Sequence, residues 1–188
     1  SHDLRQPLQT IALVHAILVR IVKDQTAASQ LHSLAEAVRS MENLLSALLD
    51  VNRLESGAIE PRVQVFALEQ ILAPIRSDLS IAAADKQLRL DIPVCRESAR
   101  TDPRLLEVIL RNLVSNAIKY TRQGTVTVLT ETSDEGLRIQ VIDTGIGIAA
   151  EHRERLFDDF YQIDNPSRDK RRGVGLGLGI VRRISALL

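Results

Sequence analysis

The sequence is poor in aromatic residues: 3% of 188, with three Phe, two Tyr and no Trp. That excludes a stacking platform for single-stranded nucleic acid, which needs a row of exposed rings. Cysteine is almost missing as well. The one thiol, Cys95, permits neither an internal disulfide nor a cysteine-cluster metal site, and it reads as a structural residue in a reducing compartment. An excess of charge of one sign is absent, with 24 basic residues against 24 acidic. No global field therefore draws the chain to DNA or to an anionic membrane. Nowhere do about 18 apolar residues run together, and the N-terminus lacks a signal-peptide pattern. The expectation is a soluble chain with no membrane contact of its own. What the chain does have is 45% hydrophobic residues, enough for a sizeable core in one or two domains.

Apolar positions Leu4, Leu8, Ile11, Leu18 and Val22, with His15 filling the one gap, step by fours and threes like the seam of an amphipathic helix. The pattern resumes at Leu31, Leu34, Val38, Met41, Leu45 and Leu48, and Leu44, Val51 and Leu54 widen it. Two helices joined by a short loop form an antiparallel hairpin. So wide an apolar face predicts a second copy and a four-helix bundle, although a stripe covered by its own chain stays open. Ser56-Gly57 ends the second helix and Glu60-Pro61 reads as a linker, which divides the chain into residues 1–58 and 62–188. The second part predicts a strand over 63–66, a helix over 68–84 and a strand over 88–92. An Asp102 cap with Pro103 in the first turn then starts a helix that runs to Tyr120. Strands over 125–132 and 137–142 follow, joined as a hairpin. Helices grouped with largely antiparallel strands predict an α+β chain whose second part is a two-layer α/β sandwich.

Four segments carry chemistry. Asp143-Thr144-Gly145-Ile146-Gly147 follows an apolar run, as a strand would that delivers a carboxylate into a tight loop whose glycines admit a ligand to the backbone. Upstream, Asn112 and Asn116 lie one helical turn apart and Lys119 one turn further, so the three share a face. An Asn carbonyl offers a hard cation an oxygen without adding charge beside phosphates. Downstream, Gly173, Gly175, Gly177 and Gly179 open a helix whose first amides suit an anion. A dinucleotide-fold reading of these glycines fails, because no βαβ unit follows. Finally, Ser1-His2-Asp3-Leu4-Arg5-Gln6-Pro7-Leu8 sets a histidine beside a carboxylate that can fix its tautomer, ahead of a proline that bends the helix. A neutral imidazole can attack phosphorus and hold the group as a phosphoramidate. Taken singly, each segment also reads as a plain β-turn, a helix surface or a solvated histidine.

In this order the four segments resemble the phosphoacceptor box, N box and two glycine boxes of sensor histidine kinases. These belong to the wider ATPase family of type II topoisomerases and heat-shock chaperones. The resemblance covers nearly the whole chain. It implies an ATP-dependent protein histidine kinase phosphorylated on His2, with Asp3 as its helper. It implies that Asn116 holds Mg²⁺, that Asn112 and Lys119 serve the phosphates, and that Tyr120 flanks the nucleotide. Asp143 would read the exocyclic amine of adenine, with Gly145 and Gly147 clearing space for base and ribose. Gly173, Gly175, Leu176 and Gly177 would form the second glycine box. The run Phe157-Asp158-Asp159-Phe160-Tyr161 is similar to the family's phenylalanine box. Residues 162–174, with Arg168, Lys170, Arg171 and Arg172, would be a lid over ATP.

The same resemblance implies a homodimer through the hairpin and a response-regulator receiver domain as the acceptor of the phosphoryl group. With the charge balance and scarce aromatics, no nucleic-acid partner is expected, and the catalytic portion is expected to be cytoplasmic, whether the full-length protein is membrane-anchored or soluble. Family members usually continue into a further strand pair, so the sheet is expected to lack its last strands and the chain to be a piece of a longer one. Gln6 departs from the pattern. Many of these kinases carry Thr or Asn there and also dephosphorylate their regulator, so the longer Gln stem implies a bias toward phosphorylation. The alternative is a nucleotide-binding pseudokinase or scaffold that docks partners without phosphoryl transfer; the intact His2, Asp3, Asn116 and Lys119 argue against it. An ATP-driven clamp of the wider family is disfavoured by the His-Asp hairpin.

Overall fold

The computed structural model describes residues 59–134, 136–163 and 175–188, together with scattered helical positions between 10 and 38. The chain divides into two compact units: Ser1–Ile59 with Asp159–Gly177, and Glu60–Asp158 with Leu178–Leu188.

In the first unit Ile11 and Leu18 of the predicted seam are helical and exposed, as are the neighbouring positions Leu13, Val14, Ile17 and Ile21. Val38, from the second stripe, is helical and buried. Leu31 and Leu34 of that stripe are helical too, Leu31 half-buried and Leu34 exposed, and the remaining stripe positions, with Pro7 and the stop at Ser56-Gly57, lie outside the described residues.

The second unit is built from seven elements and a short 3₁₀ turn at Ala150–His152, with most of a further helix. Strand β1 (Gln64–Ala67) leads into helix α1 (Glu69–Asp85). Leu68, Ile71, Leu72 and Ile75 recur at helical spacing, and all four are buried. Strand β2 (Arg89–Asp91) is followed by β3 (Ser98–Thr101) and helix α2 (Pro103–Tyr120). Strands β4 (Thr125–Ser133) and β5 (Gly136–Asp143) form the predicted hairpin, in which Ser133 pairs with Gly136. Helix α3 (Gly177–Leu187) starts within the glycine-rich run and buries Gly179, Ile180, Val181 and Ile184.

The strands form two sheets. One is the antiparallel pair β1–β3 and the other runs in the order β2–β4–β5. Within the larger sheet β4 and β5 are antiparallel, whereas β2 runs parallel to β4, so the strands are largely antiparallel, as expected, with one parallel pair. Alternation sorts the faces of that sheet. Val126 and Val128 of β4 are buried, Leu137, Ile139 and Val141 of β5 pack on the same core, and Leu129 and Ile142 point outward. Helices α1 and α2 supply the other side of the core through Leu72, Ile75, Leu110 and Val114. This is the two-layer sandwich of an α+β chain.

Strand β3 was not expected. Its sequence, Ser-Ala-Arg-Thr, buries only Ala99, too little alternation to signal a strand. It exists because β1 pairs with it from Gln64↔Thr101 to Ala67↔Ser98.

The helix-start prediction at Asp102 is met in detail. Its Oδ1 accepts from the N–H of Arg104 at 2.9 Å and of Leu105 at 3.3 Å, while Oδ2 accepts from the Arg62 N–H at 2.7 Å. Burial of this carboxylate pushes its pKa up. The N–H groups of Arg62, Arg104 and Leu105 and the Arg104 side chain outweigh that and hold it below the usual range. Cys95 is buried, with Sγ 2.8 Å from Glu97 Oε2. Burial and that carboxylate push the thiol up, which fits an unreactive structural residue.

Candidate functional site

The site candidates of the second unit gather where α2 ends and β5 runs out. Strand register brings them there: Val126, near the start of β4, pairs with Asp143, the last residue of β5. The ladder then extends one step further. The Thr144 N–H donates to Thr125 O at 3.1 Å, and the Thr125 N–H donates to Thr144 Oγ1 at 3.0 Å. Past this clamp the chain turns back on itself, and the Gly145 N–H donates to Asp143 Oδ1 at 2.8 Å. The turn is closed against the helix end, where the Ile146 N–H reaches Tyr120 O at 3.3 Å. The end of α2 and the Asp143 loop are thus joined through backbone groups.

Gly145 is required by that contact. A Cβ there would lie 2.7 Å from Tyr120 O, 2.7 Å from Asp143 Oδ1 and 3.0 Å from Thr121 Oγ1. Gly147 is required for another reason: its φ of +67° is left-handed, and a Cβ would meet nothing within 4 Å. Both glycines were expected to make room for a ligand. The geometry gives Gly145 a packing role against α2 and Gly147 a conformational one. Asp143 itself is exposed and spends Oδ1 on the turn. Among the described residues its second oxygen has no partner, which leaves it free to accept from a ligand.

On α2 the expected face is present. Asn112, Asn116 and Lys119 are all half-buried and lie along one side. The two amides differ in commitment. Asn112 Nδ2 donates to Val108 O at 2.8 Å, so its carboxamide is oriented by its own helix. The Asn116 carboxamide has no hydrogen-bond partner among the described residues, so it remains available. Lys119 Nζ sits 3.0 Å from Tyr120 Oη and 4.6 Å from the centre of its ring, a cation–π arrangement on a half-exposed tyrosine. Among the described residues no three His, Cys, Asp or Glu side chains are grouped to hold a metal ion. A hard cation at Asn116 would therefore complete its shell with ligand oxygens and water.

Two supports were not foreseen. Lys86, just past the end of α1, donates from Nζ to Ile118 O at 2.9 Å and to Lys119 O at 2.7 Å. It satisfies carbonyls that a helix C-terminus leaves open and places a positive charge at the negative end of the α2 dipole. Thr144, the variable letter of D-x-G-x-G, makes the clamp to Thr125. Neither position had a signal in sequence, since a lysine after a helix and a threonine in a turn are commonplace.

Gly175, Leu176 and Gly177 belong to the first unit. There Gly175 has φ +79°, and its carbonyl accepts from the Phe160 N–H at 3.0 Å. His2, Asp3, Gly173 and Arg168, Lys170, Arg171 and Arg172 of the expected lid lie outside the described residues. No helix among the described residues is long and apolar enough to cross a membrane.

Comparison with known proteins agrees with this geometry. Residues 1–57 match the His Kinase A (phospho-acceptor) domain, and residues 101–188 match the histidine kinase-, DNA gyrase B- and HSP90-like ATPase. The sensor protein GacS of Pseudomonas syringae pv. syringae is 37% identical over 98% of this chain, which spans 21% of that relative's length. Signal transduction histidine-protein kinase BarA of Escherichia coli K12 is 29% identical over 98% of the chain and 21% of its own length. The chain thus spans about a fifth of these curated relatives. Among solved structures, full-length ShkA in complex with AMPPNP superposes with a TM-score of 0.78 at 29% identity, over 99% of this chain and 39% of that one. Histidine kinase AdeS of Acinetobacter baumannii shares the fold, with a TM-score of 0.66 at 21% identity, over 100% of this chain and 87% of that one. With a phosphoacceptor domain ahead of this ATPase fold, the chain belongs to the sensor histidine kinases of two-component signal transduction.

Proposed function

We propose that the chain is the catalytic portion of an ATP-dependent protein histidine kinase, phosphorylated on His2 and passing the group to a response-regulator aspartate. The observation that carries this is the junction of α2 with the Asp143 loop. An acceptor oxygen at Asp143 and an uncommitted carboxamide at Asn116 are held by backbone bonds around Tyr120 and Gly145. These residues fit a nucleotide. The second oxygen of Asp143 suits the exocyclic amine of adenine, and Asn116 suits a phosphate-bound magnesium ion. Lys119, one turn beyond Asn116, would neutralise phosphate charge once it leaves the Tyr120 ring. Magnesium, when bound, supplies charge neutralisation between the phosphates. The AMPPNP held by ShkA supports a nucleotide in this fold.

His2 would act as nucleophile and Asp3 would hold its tautomer. Catalysis then rests on positioning and on charge. The domains proposed are a helical hairpin over 1–58, which dimerises, and an ATP-binding domain over 62–188, with Gly173, Gly175, Leu176 and Gly177 as its second glycine box. Incubation with γ-labelled ATP tests the reading. The label should survive base, be lost in acid and disappear in His2→Gln. Asn116→Ala should abolish labelling, while Asp143→Asn should chiefly weaken binding of a fluorescent ATP analogue. An acid-labile label that persists in His2→Gln refutes the assignment.

A further inference from the structure

Thr121 follows the last residue of α2 with extended backbone (φ −91°, ψ 126°), and its N–H donates to Ala117 O at 3.0 Å. It is fully buried, yet among the described residues its Oγ1 is the one buried side-chain polar atom without a hydrogen-bond partner. An unpaired buried hydroxyl destabilises a fold, and valine offers the same shape without the polar atom. Stability alone therefore does not account for a threonine here.

The position of the hydroxyl is informative. Three oxygens crowd the side of Gly145 where a Cβ would stand: Asp143 Oδ1, Tyr120 O and Thr121 Oγ1, all within 3.0 Å of that point. Two already accept from the loop, Oδ1 from the Gly145 N–H and Tyr120 O from the Ile146 N–H. The third carries the only proton of the group, and it is unused. We propose that Thr121 is a positioning residue for Asp143, its hydroxyl donating to the Asp143 carboxylate when a purine is seated against the loop. This rests on the reading of Asp143 as the residue that faces the base. With Oδ1 held by two donors, the carboxylate plane is set and the second oxygen is left as a pure acceptor. Such an oxygen selects a purine with an amine at position 6 over one with a carbonyl there, because a facing carbonyl leaves two acceptors without a proton between them.

The test uses the whole chain with Thr121→Val, Thr121→Ser, Asp143→Asn and the Thr121→Val/Asp143→Asn double variant. Thermal melts are paired with displacement of a fluorescent ATP analogue by ATP, GTP and purine riboside triphosphate, which lacks the 6-amino group. Thr121→Val should melt at or above the parent temperature and bind ATP about tenfold more weakly. It should bind purine riboside triphosphate unchanged, so the preference for the amine falls by the same factor. Thr121→Ser should restore it, and Thr121→Val should add nothing in the Asp143→Asn background. Equal losses for ATP and the 6-unsubstituted analogue, or no rescue by serine, overturn the proposal in favour of a packing role. If Asp143→Asn weakens ATP binding while Thr121→Val does not, the proposal alone falls. If Asp143→Asn binds ATP like the parent, the base reading falls and takes the proposal with it.

Discussion

Two glycines separated by one residue should fail in opposite ways when mutated. Gly145 is not among the glycines with positive φ, so its backbone admits alanine and the obstacle is steric. The added methyl would stand 2.7 Å from Tyr120 O and 2.7 Å from Asp143 Oδ1. The first is backbone at a helix end and cannot rotate away. The second can, but only by giving up the 2.8 Å bond from the Gly145 N–H that fixes the carboxylate. Overpacking of this kind costs about 1–3 kcal/mol. Because the strain falls on Asp143, most of it should appear as lost nucleotide affinity, about ten- to a hundredfold at 1.4 kcal/mol per decade. Gly147 has open space but φ of +67°. Alanine there pays about 1–2 kcal/mol for the left-handed backbone, and asparagine, which tolerates that region, should recover much of it. The assay is titration of a fluorescent ATP analogue against Gly145→Ala, Gly145→Asn, Gly147→Ala and Gly147→Asn, with a melting curve for each. Asparagine should rescue at 147 and worsen binding at 145. If Gly145→Ala binds like the parent, or asparagine is no better than alanine at 147, the steric and conformational assignments are wrong.

Asp102→Ala removes the cap of α2 and the partner of the Arg62 N–H, and should cost about 1–2 kcal/mol in a denaturant titration. Its folded pKa is depressed, so its contribution is fully present above the unfolded carboxylate value of about 3.9 and is lost as pH falls through the lower folded value. Asp102→Asn should therefore flatten part of the acid limb in melts taken from pH 5 downward. Glu69 is also held low, by the Cys95 N–H and Arg76, and Glu69→Gln should flatten the same limb further. Lys86→Met should lower the melting temperature by a few degrees and weaken ATP binding a few-fold, through loss of the bonds to Ile118 O and Lys119 O; unchanged affinity would separate Lys86 from the site. Gln6→Asn should raise clearance of phosphate from a purified phospho-regulator when His2 is also replaced to block back-transfer; equal rates would remove Gln6 as the cause of any bias.

How much of this was legible in the sequence depended on whether a residue acts through a repeating pattern or through a single contact. Helix α2 was read almost to the residue, because Asp102-Pro103 is a start signal with a mechanism and its apolar stripe persists for five turns. The β4–β5 hairpin was equally plain, since alternation continues on both sides of a turn. Strand β3 was hidden because only Ala99 is buried and the pairing partner lies more than thirty residues away in the chain. The parallel course of β2 was hidden for the same reason: strand direction is set by a neighbour and not by a strand's own residues.

The candidate site divides in the same manner. Residues that would touch a ligand were found because they come in sets, Asn112 with Asn116 and Lys119, or Asp143 with its two glycines. Residues that hold those sets in place were not, because each does its work with one bond to a backbone group elsewhere. Lys86 reaches α2 from the end of α1, Thr144 reaches the start of β4, and Thr121 is set beside a glycine that a ligand reading had assigned to the base. The consequence is physical. The loop that carries Asp143 is fastened at three places, by Thr144 to β4, by Ile146 to the end of α2 and by its own turn at Gly145. A carboxylate fastened in this way loses little further freedom when a base arrives, so less of the binding energy goes into ordering it. Loosening any one fastening should therefore reduce affinity without altering a single ligand contact.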